Sequence, residues 1–151
     1  MDIDSLRLTG AADAGARALK KAHPDVVFTS GRREVADQAR AMSGNVAVNR
    51  RWIGQTYANT PEARALQAWV NAHPEADTAG EIAAGLVGVM AGWTDVQKGR
   101  LSKHFSGQAF DVQPVSGPRG DAIKATIRAL PGLVKFLDRE GGLVRWHAQF
   151  A

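Results

Sequence analysis

The 151-residue chain contains no cysteine. That one absence excludes thiolate metal ligands, a cysteine nucleophile and disulfide staples, so any metal must be held by His, Asp and Glu. No apolar run approaches the roughly 18 residues that a membrane span requires. No repeat, low-complexity tract or linker breaks the chain, and a single domain over residues 1–151 is expected. The opening MDIDSLRLTG is acidic and lacks an apolar stretch ahead of a cleavage site, so it does not read as a secretory leader. The expectation is a protein made in the cytoplasm that needs another way out if it acts on a cell surface.

What is present is typical of a globular chain long enough to bury a core: 44% hydrophobic and 23% charged residues. Nineteen basic residues against fifteen acidic give a net charge of +4. Such a balance suits polyanionic partners, namely nucleic acid, membrane headgroups or an anionic cell wall. The basic residues are scattered, however. Only Lys20-Lys21, Arg32-Arg33 and Arg50-Arg51 adjoin, and none alternates with aromatics. No nucleic-acid partner is expected, and the chain is read as a monomer.

Leu6, Ala12, Ala16 and Leu19 recur at near-helical spacing, which predicts a helix over 5–22, closed by His23-Pro24. The β-branched DVVFTS (25–30) predicts a strand, and REVADQARAM (33–42) a second helix. SGNVAVNRRWIGQTYAN (43–59) reads as an irregular loop or flap. Thr60-Pro61 is a helix start, with Thr as N-cap and Pro at the first helical position. Thr78 and Glu81 have capping-box spacing ahead of EIAAGLVGVMAGW. A polar turn is expected after Trp93. GQAFDVQPV (107–115) alternates as a strand, with Ala109, Asp111 and Gln113 on one face and Phe110 and Val112 on the other. GDAIKATIRAL and PGLVKFLDRE read as helices, and LVRWHAQF (143–150) as a last strand after Gly141-Gly142. The sum is an α+β fold, a small antiparallel sheet packed with several helices.

Of four histidines, His23 and His73 each precede a proline at a helix end, where a structural role is expected. His104 and His147 lie beside predicted strands, and Asp111 follows His104 by seven positions. Two histidines and one carboxylate form a three-ligand set that leaves a fourth zinc position for water. Iron in a two-His, one-carboxylate site is the competing ion. Gly107 supplies backbone freedom between His104 and Asp111, and Ala109 leaves room on the inward face. His147 completes the set if its strand pairs beside 108–113.

SKHFSGQAFD (102–111), with Ser102, His104, Gly107, Ala109 and Asp111 in register, resembles the Ser-x-His-x-x-Gly-x-Ala-x-Asp signature of the M15 zinc peptidases. That family includes D-alanyl-D-alanine carboxypeptidases, dipeptidases and peptidase-type phage endolysins. SGRREVADQ (30–38) resembles its upstream Ser-Gly-Tyr-Arg segment, with Arg33 at the arginine and Arg32 where an aromatic is commoner. RWHAQ (145–149) resembles its closing Trp-His strand. The resemblance implies that His104, Asp111 and His147 hold zinc and activate water against an amide carbonyl. It implies that Arg33 binds a substrate carboxylate or polarises the carbonyl. Ser102 either binds substrate or shapes the turn. Trp146 is the foremost of the aromatics Trp52, Tyr57, Trp93 and Trp146 that would line a substrate groove, and Lys103 and Arg145 would attract an acidic stem peptide. The family's general-base glutamate, three residues before the last histidine, is replaced by Val144. Glu140, ahead of the Gly-Gly turn, is then the candidate base, with Asp138 behind it. These features imply a zinc peptidase acting on bacterial peptidoglycan peptides, of the kind a phage or prophage endolysin needs. The alternative is a non-catalytic zinc- and wall-binding or virion structural relative.

Overall fold

The computed structural model describes residues 1–151, an α+β arrangement of seven α-helices and a four-stranded antiparallel sheet. The contacts within the chain divide it into two compact units: residues 1–32 with 106–151, and residues 33–105.

The first unit holds the sheet. Its elements are a 3-10 turn at Asp4–Leu6, α1 (Gly10–Ala22), β1 (Phe28–Ser30), β2 (Ala109–Val112), α7 (Gly117–Arg128), β3 (Leu133–Glu140) and β4 (Leu143–Phe150). Strand order is β1-β2-β4-β3. The expected first helix is interrupted: Arg7 takes a left-handed φ of 51°, so Leu6 belongs to the 3-10 turn and the α-helix starts at Gly10. Ala12, Ala16 and Leu19 then form its buried stripe, as their spacing requires.

Strand alternation divides the sheet into two chemistries. Phe110 pairs with Ala148 and Val112 with Trp146, and these join Phe28, Phe150, Leu19, Ile123 and Ile127 in one core. Phe110 lies between Phe28 and Phe150, edge-on to the first with ring centres 5.3 Å apart. On the other side Ala109 pairs with Gln149 and Asp111 with His147. The strand expected at 107–115 therefore presents the faces its alternation predicts, over a shorter span.

PGLVKFLDRE is a strand, not the expected helix. Leu133, Val134, Phe136 and Leu137 satisfy a helical period as well as an extended one. The decision comes from Gly141 and Gly142, whose φ values of 58° and 79° make the two-residue, doubly left-handed turn that matches strand twist. β3 therefore folds back on β4 as a hairpin, Glu140 opposite Leu143.

The second unit is helical: α2 (Val35–Val48), α3 (Trp52–Thr56), α4 (Pro61–Ala72), α5 (Ala79–Met90) and α6 (Asp95–Leu101), then a 3-10 turn at Lys103–Ser106 where the chain returns. Its own core is built from Met42, Val46, Ile53, Leu66, Val70, Ile82, Leu86 and Met90. The segment expected to be a loop, 43–59, is mostly helical. Ser43 and Val46 are buried, and that burial outweighs the poor helix propensity of Ser43-Gly44-Asn45. The turn expected after Trp93 is α6, opened by a capping box between Thr94 and Gln97. Thr60 and Thr78 cap α4 and α5, each accepting from a backbone N–H three residues on. Arg50 spans the end of α4, donating to the carbonyls of Val70, His73 and Ala76.

Alanine at both Gly141 and Gly142 should cost about 2–4 kcal/mol, taking roughly 1–2 kcal/mol per left-handed residue. Urea unfolding measures this, and an unchanged midpoint would contradict the turn type.

Candidate metal centre

Asp111 and His147 stand directly opposite on β2 and β4. The imidazole Nδ1 is 2.9 Å from Asp111 Oδ1, across 36 residues of sequence. Gln149 lies two residues along the same side of β4, its Oε1 3.2 Å from His147 Nε2. Nδ1 donates to the Asp111 carboxylate, and Nε2 faces the Gln149 amide. Burial acts to lower the His147 pKa. The hydrogen bond and charge of Asp111 act against it, with help from the charge of Glu140 and the Gln149 bond, and the pKa stands above its ordinary 6.5.

His104 is buried in the Lys103–Ser106 turn. Its N–H donates to Ser102 Oγ at 3.2 Å and its carbonyl accepts from the Arg33 N–H at 3.0 Å. One candidate ligand atom from each of His104, Asp111 and His147 falls in a group whose members all lie within 4.8 Å of one another. Around zinc, with bonds of about 2.0–2.1 Å, tetrahedral ligand atoms stand about 3.4 Å apart. Side-chain shifts on the order of 1 Å therefore close this set on one ion. Two imidazoles and a carboxylate, buried or half-buried, fit such an ion chemically. Nδ1 is the His147 atom turned toward Asp111, and Nε2 the one turned toward Gln149.

The other expected site residues are distributed as follows. Ser102 ends α6 and serves the His104 turn through its hydroxyl. Arg33 Nη1 donates to Gln38 Oε1 at 3.3 Å, and buried Gln38 donates in turn to the Tyr57 hydroxyl at 2.9 Å. The guanidinium is thus aimed by a side chain that the upstream motif includes. Trp146 is 4% exposed and pairs with Val112, with Lys124 Nζ 5.7 Å from its ring centre, and it lines a cavity with Ser116, Asp138 and Val144. Being adjacent to His147 on a strand sends it to the opposite face. Trp52 is also buried, edge-on to Tyr57. His23 and His73 are structural, bonded to Thr126 Oγ1 and to the Trp69 carbonyl.

Glu140 is the last residue of β3, not the end of a helix. Leu137 faces His147, but the β3–β4 register shifts by one residue between Leu137 and Arg139, so simple alternation does not carry past Leu137. Asp138 lies near Lys124 and Arg128 of α7. Val144, where the resembled motif keeps a glutamate, pairs with Arg139 beyond that shift and is exposed. Glu140 influences His147 through its charge. Nothing in the sequence marks Gln149 as a partner of His147 except its place two residues along the strand.

No protein-family model matches this chain, and no match was found among curated proteins or solved structures.

Zinc added to the metal-free protein should saturate at one ion per chain. Alanine at His104, Asp111 or His147 should weaken binding by more than the roughly 10–100-fold typical of outer-shell changes. The pH dependence has a defined sign. The protonated His147–Asp111 pair stabilises the metal-free fold fully below pH 6.5, and that contribution fades as pH rises through the raised folded value. Metal uptake needs the neutral ring and strengthens over the same window. The zinc-induced rise in Tm should therefore widen between about pH 6 and pH 8; a constant increment would remove His147 from the ligand set.

Proposed function

We propose that this chain is a zinc-dependent peptidase of the M15 type, cutting peptide bonds in peptidoglycan stem peptides or cross-links as a phage or prophage endolysin does. The observation that carries the proposal is the grouping of His104, Asp111 and His147, the three residues in which the motif resemblance finds its ligands. Zinc bound there would supply a water of lowered pKa and polarise the scissile carbonyl.

The chain's own residues would perform the remaining steps. Arg33, permanently charged and aimed by Gln38, suits a substrate carboxylate or carbonyl oxygen. Its N–H on the His104 carbonyl ties that guanidinium's position to a ligand's backbone. Glu140 is the proposed proton acceptor, and its charge acts on His147. The positive net charge favours an acidic peptide or an anionic wall as partner. No helix is long and apolar enough to cross a membrane.

A second reading has its own observation. Valine at position 144, where the resembled motif keeps its general-base glutamate, favours a zinc- and wall-binding relative without turnover. Release of new amino termini from purified peptidoglycan, with and without chelator, separates the two. The peptidase should give chelator-sensitive release, and Glu140→Gln should lower kcat by about 10²–10⁴-fold. Undiminished release by that variant would assign the proton transfer elsewhere. A wall-binding relative would bind peptidoglycan, release nothing, and gain release on Val144→Glu.

A further inference from the structure

Two separate parts of the chain, residues 7–9 and Arg32, act on the short turn between His104 and Asp111. The Ser106 carbonyl accepts two bonds, from Arg32 Nη2 and from Thr9 Oγ1, each at 3.1 Å. The Gly107 carbonyl accepts from the Thr9 N–H at 3.0 Å. Gly107 itself has a φ of 75°. A Cβ at that position would lie 2.8 Å from the Arg7 carbonyl oxygen, and 3.0 and 3.1 Å from Arg32 Nη2 and Nε. The guanidinium is therefore packed against the turn with no room for a side chain between them.

Arg32 is fixed at its base as well, since its N–H donates to the carbonyl of buried Leu6 at 2.8 Å. Its Nε is buried without a hydrogen-bond partner. Structures rarely leave a buried donor unmet, and where they do the group serves another constraint. Here that constraint is contact with a turn two residues from one candidate ligand and four from another. A metal centre requires its donors held to within about 0.5 Å, which short loops achieve only with outside support. The family resemblance assigns a role to Arg33 and none to Arg32.

We propose that Arg32, assisted by Thr9, is a positioning residue for the metal centre, clamping the Ser106–Gly107 turn so that His104 and Asp111 are presented at one ion's spacing. This rests on the metal-binding reading of His104, Asp111 and His147. Outer-shell residues of this kind change metal affinity by about 10–100-fold when lost. Arg32→Met keeps the aliphatic stem and removes the donors; Thr9→Val removes the hydroxyl donor from an exposed position and keeps the backbone bond.

The test is zinc affinity, by competition with a chromophoric chelator, together with the visible spectrum of the cobalt-substituted protein and the Tm of the metal-free form. Arg32→Met should bind zinc about 10–100-fold more weakly and give an altered cobalt spectrum, while the metal-free Tm stays near that of the parent. Arg32→Lys should recover part of the affinity, and Thr9→Val should weaken binding to a smaller extent. Parental affinity and spectrum in both Arg32→Met and Thr9→Val would overturn the clamp while leaving the metal site standing. If Arg32→Met fails to fold, Thr9→Val decides alone. A parent protein that takes up neither zinc nor cobalt would overturn the metal reading and the clamp together.

Discussion

A carboxylate and an imidazole meet across β2 and β4, and their 2.9 Å contact exists in only one register of the sheet. A slip by one residue would carry Asp111 or His147 to the helix-covered side and bring Phe110 or Trp146 out in its place. The apolar alternation of both strands therefore enforces the polar one. Phe110, Val112, Trp146, Ala148 and Phe150 have a single satisfactory placement, against α1 and α7, and that placement leaves Asp111 and His147 facing each other. The hairpin turn at Gly141-Gly142 aligns β4 with β3, while the bond from the Phe150 N–H to the Gln108 carbonyl ties β4 to the start of β2. Packing energy spent on one face fixes geometry on the other.

Much of this was legible in the sequence, and the parts that were not have identifiable reasons. Candidate ligands stand out because histidine and aspartate on or beside strands are chemically conspicuous. The glycines bound β4, and Thr60 and Pro61 open α4. β3 differs from the helix expected because four apolar residues within five positions fit either period, and the two-residue glycine turn is a hairpin signal as much as a break. The helix through Ser43-Gly44-Asn45 lay beyond local rules, since burial of Met42 and Val46 decides it. Arg50's service to three carbonyls at the end of α4 was unreadable for the same reason: its partners are distant in sequence.

The side-chain orienters follow a common pattern. The Arg33 guanidinium meets Gln38, Gln38 meets Tyr57, and the His147 ring meets Gln149 as well as Asp111, while Ser102 holds the backbone of His104. Neutral polar residues thus recur beside the groups of the candidate site. The exception is Arg32, a cation spent on a backbone turn.

The bond from Arg32 to Ser106 has one more consequence, because those two residues are the points at which the chain leaves the sheet unit and returns to it. Everything between them is, to the sheet, a single long loop already closed at its neck. Closure entropy grows only with the logarithm of loop length, so doubling that excursion would cost about 0.6 kcal/mol. Growth within that excursion would therefore carry small entropic cost to the strands that hold Asp111 and His147, provided its two ends keep the bond from the Arg33 N–H to the His104 carbonyl.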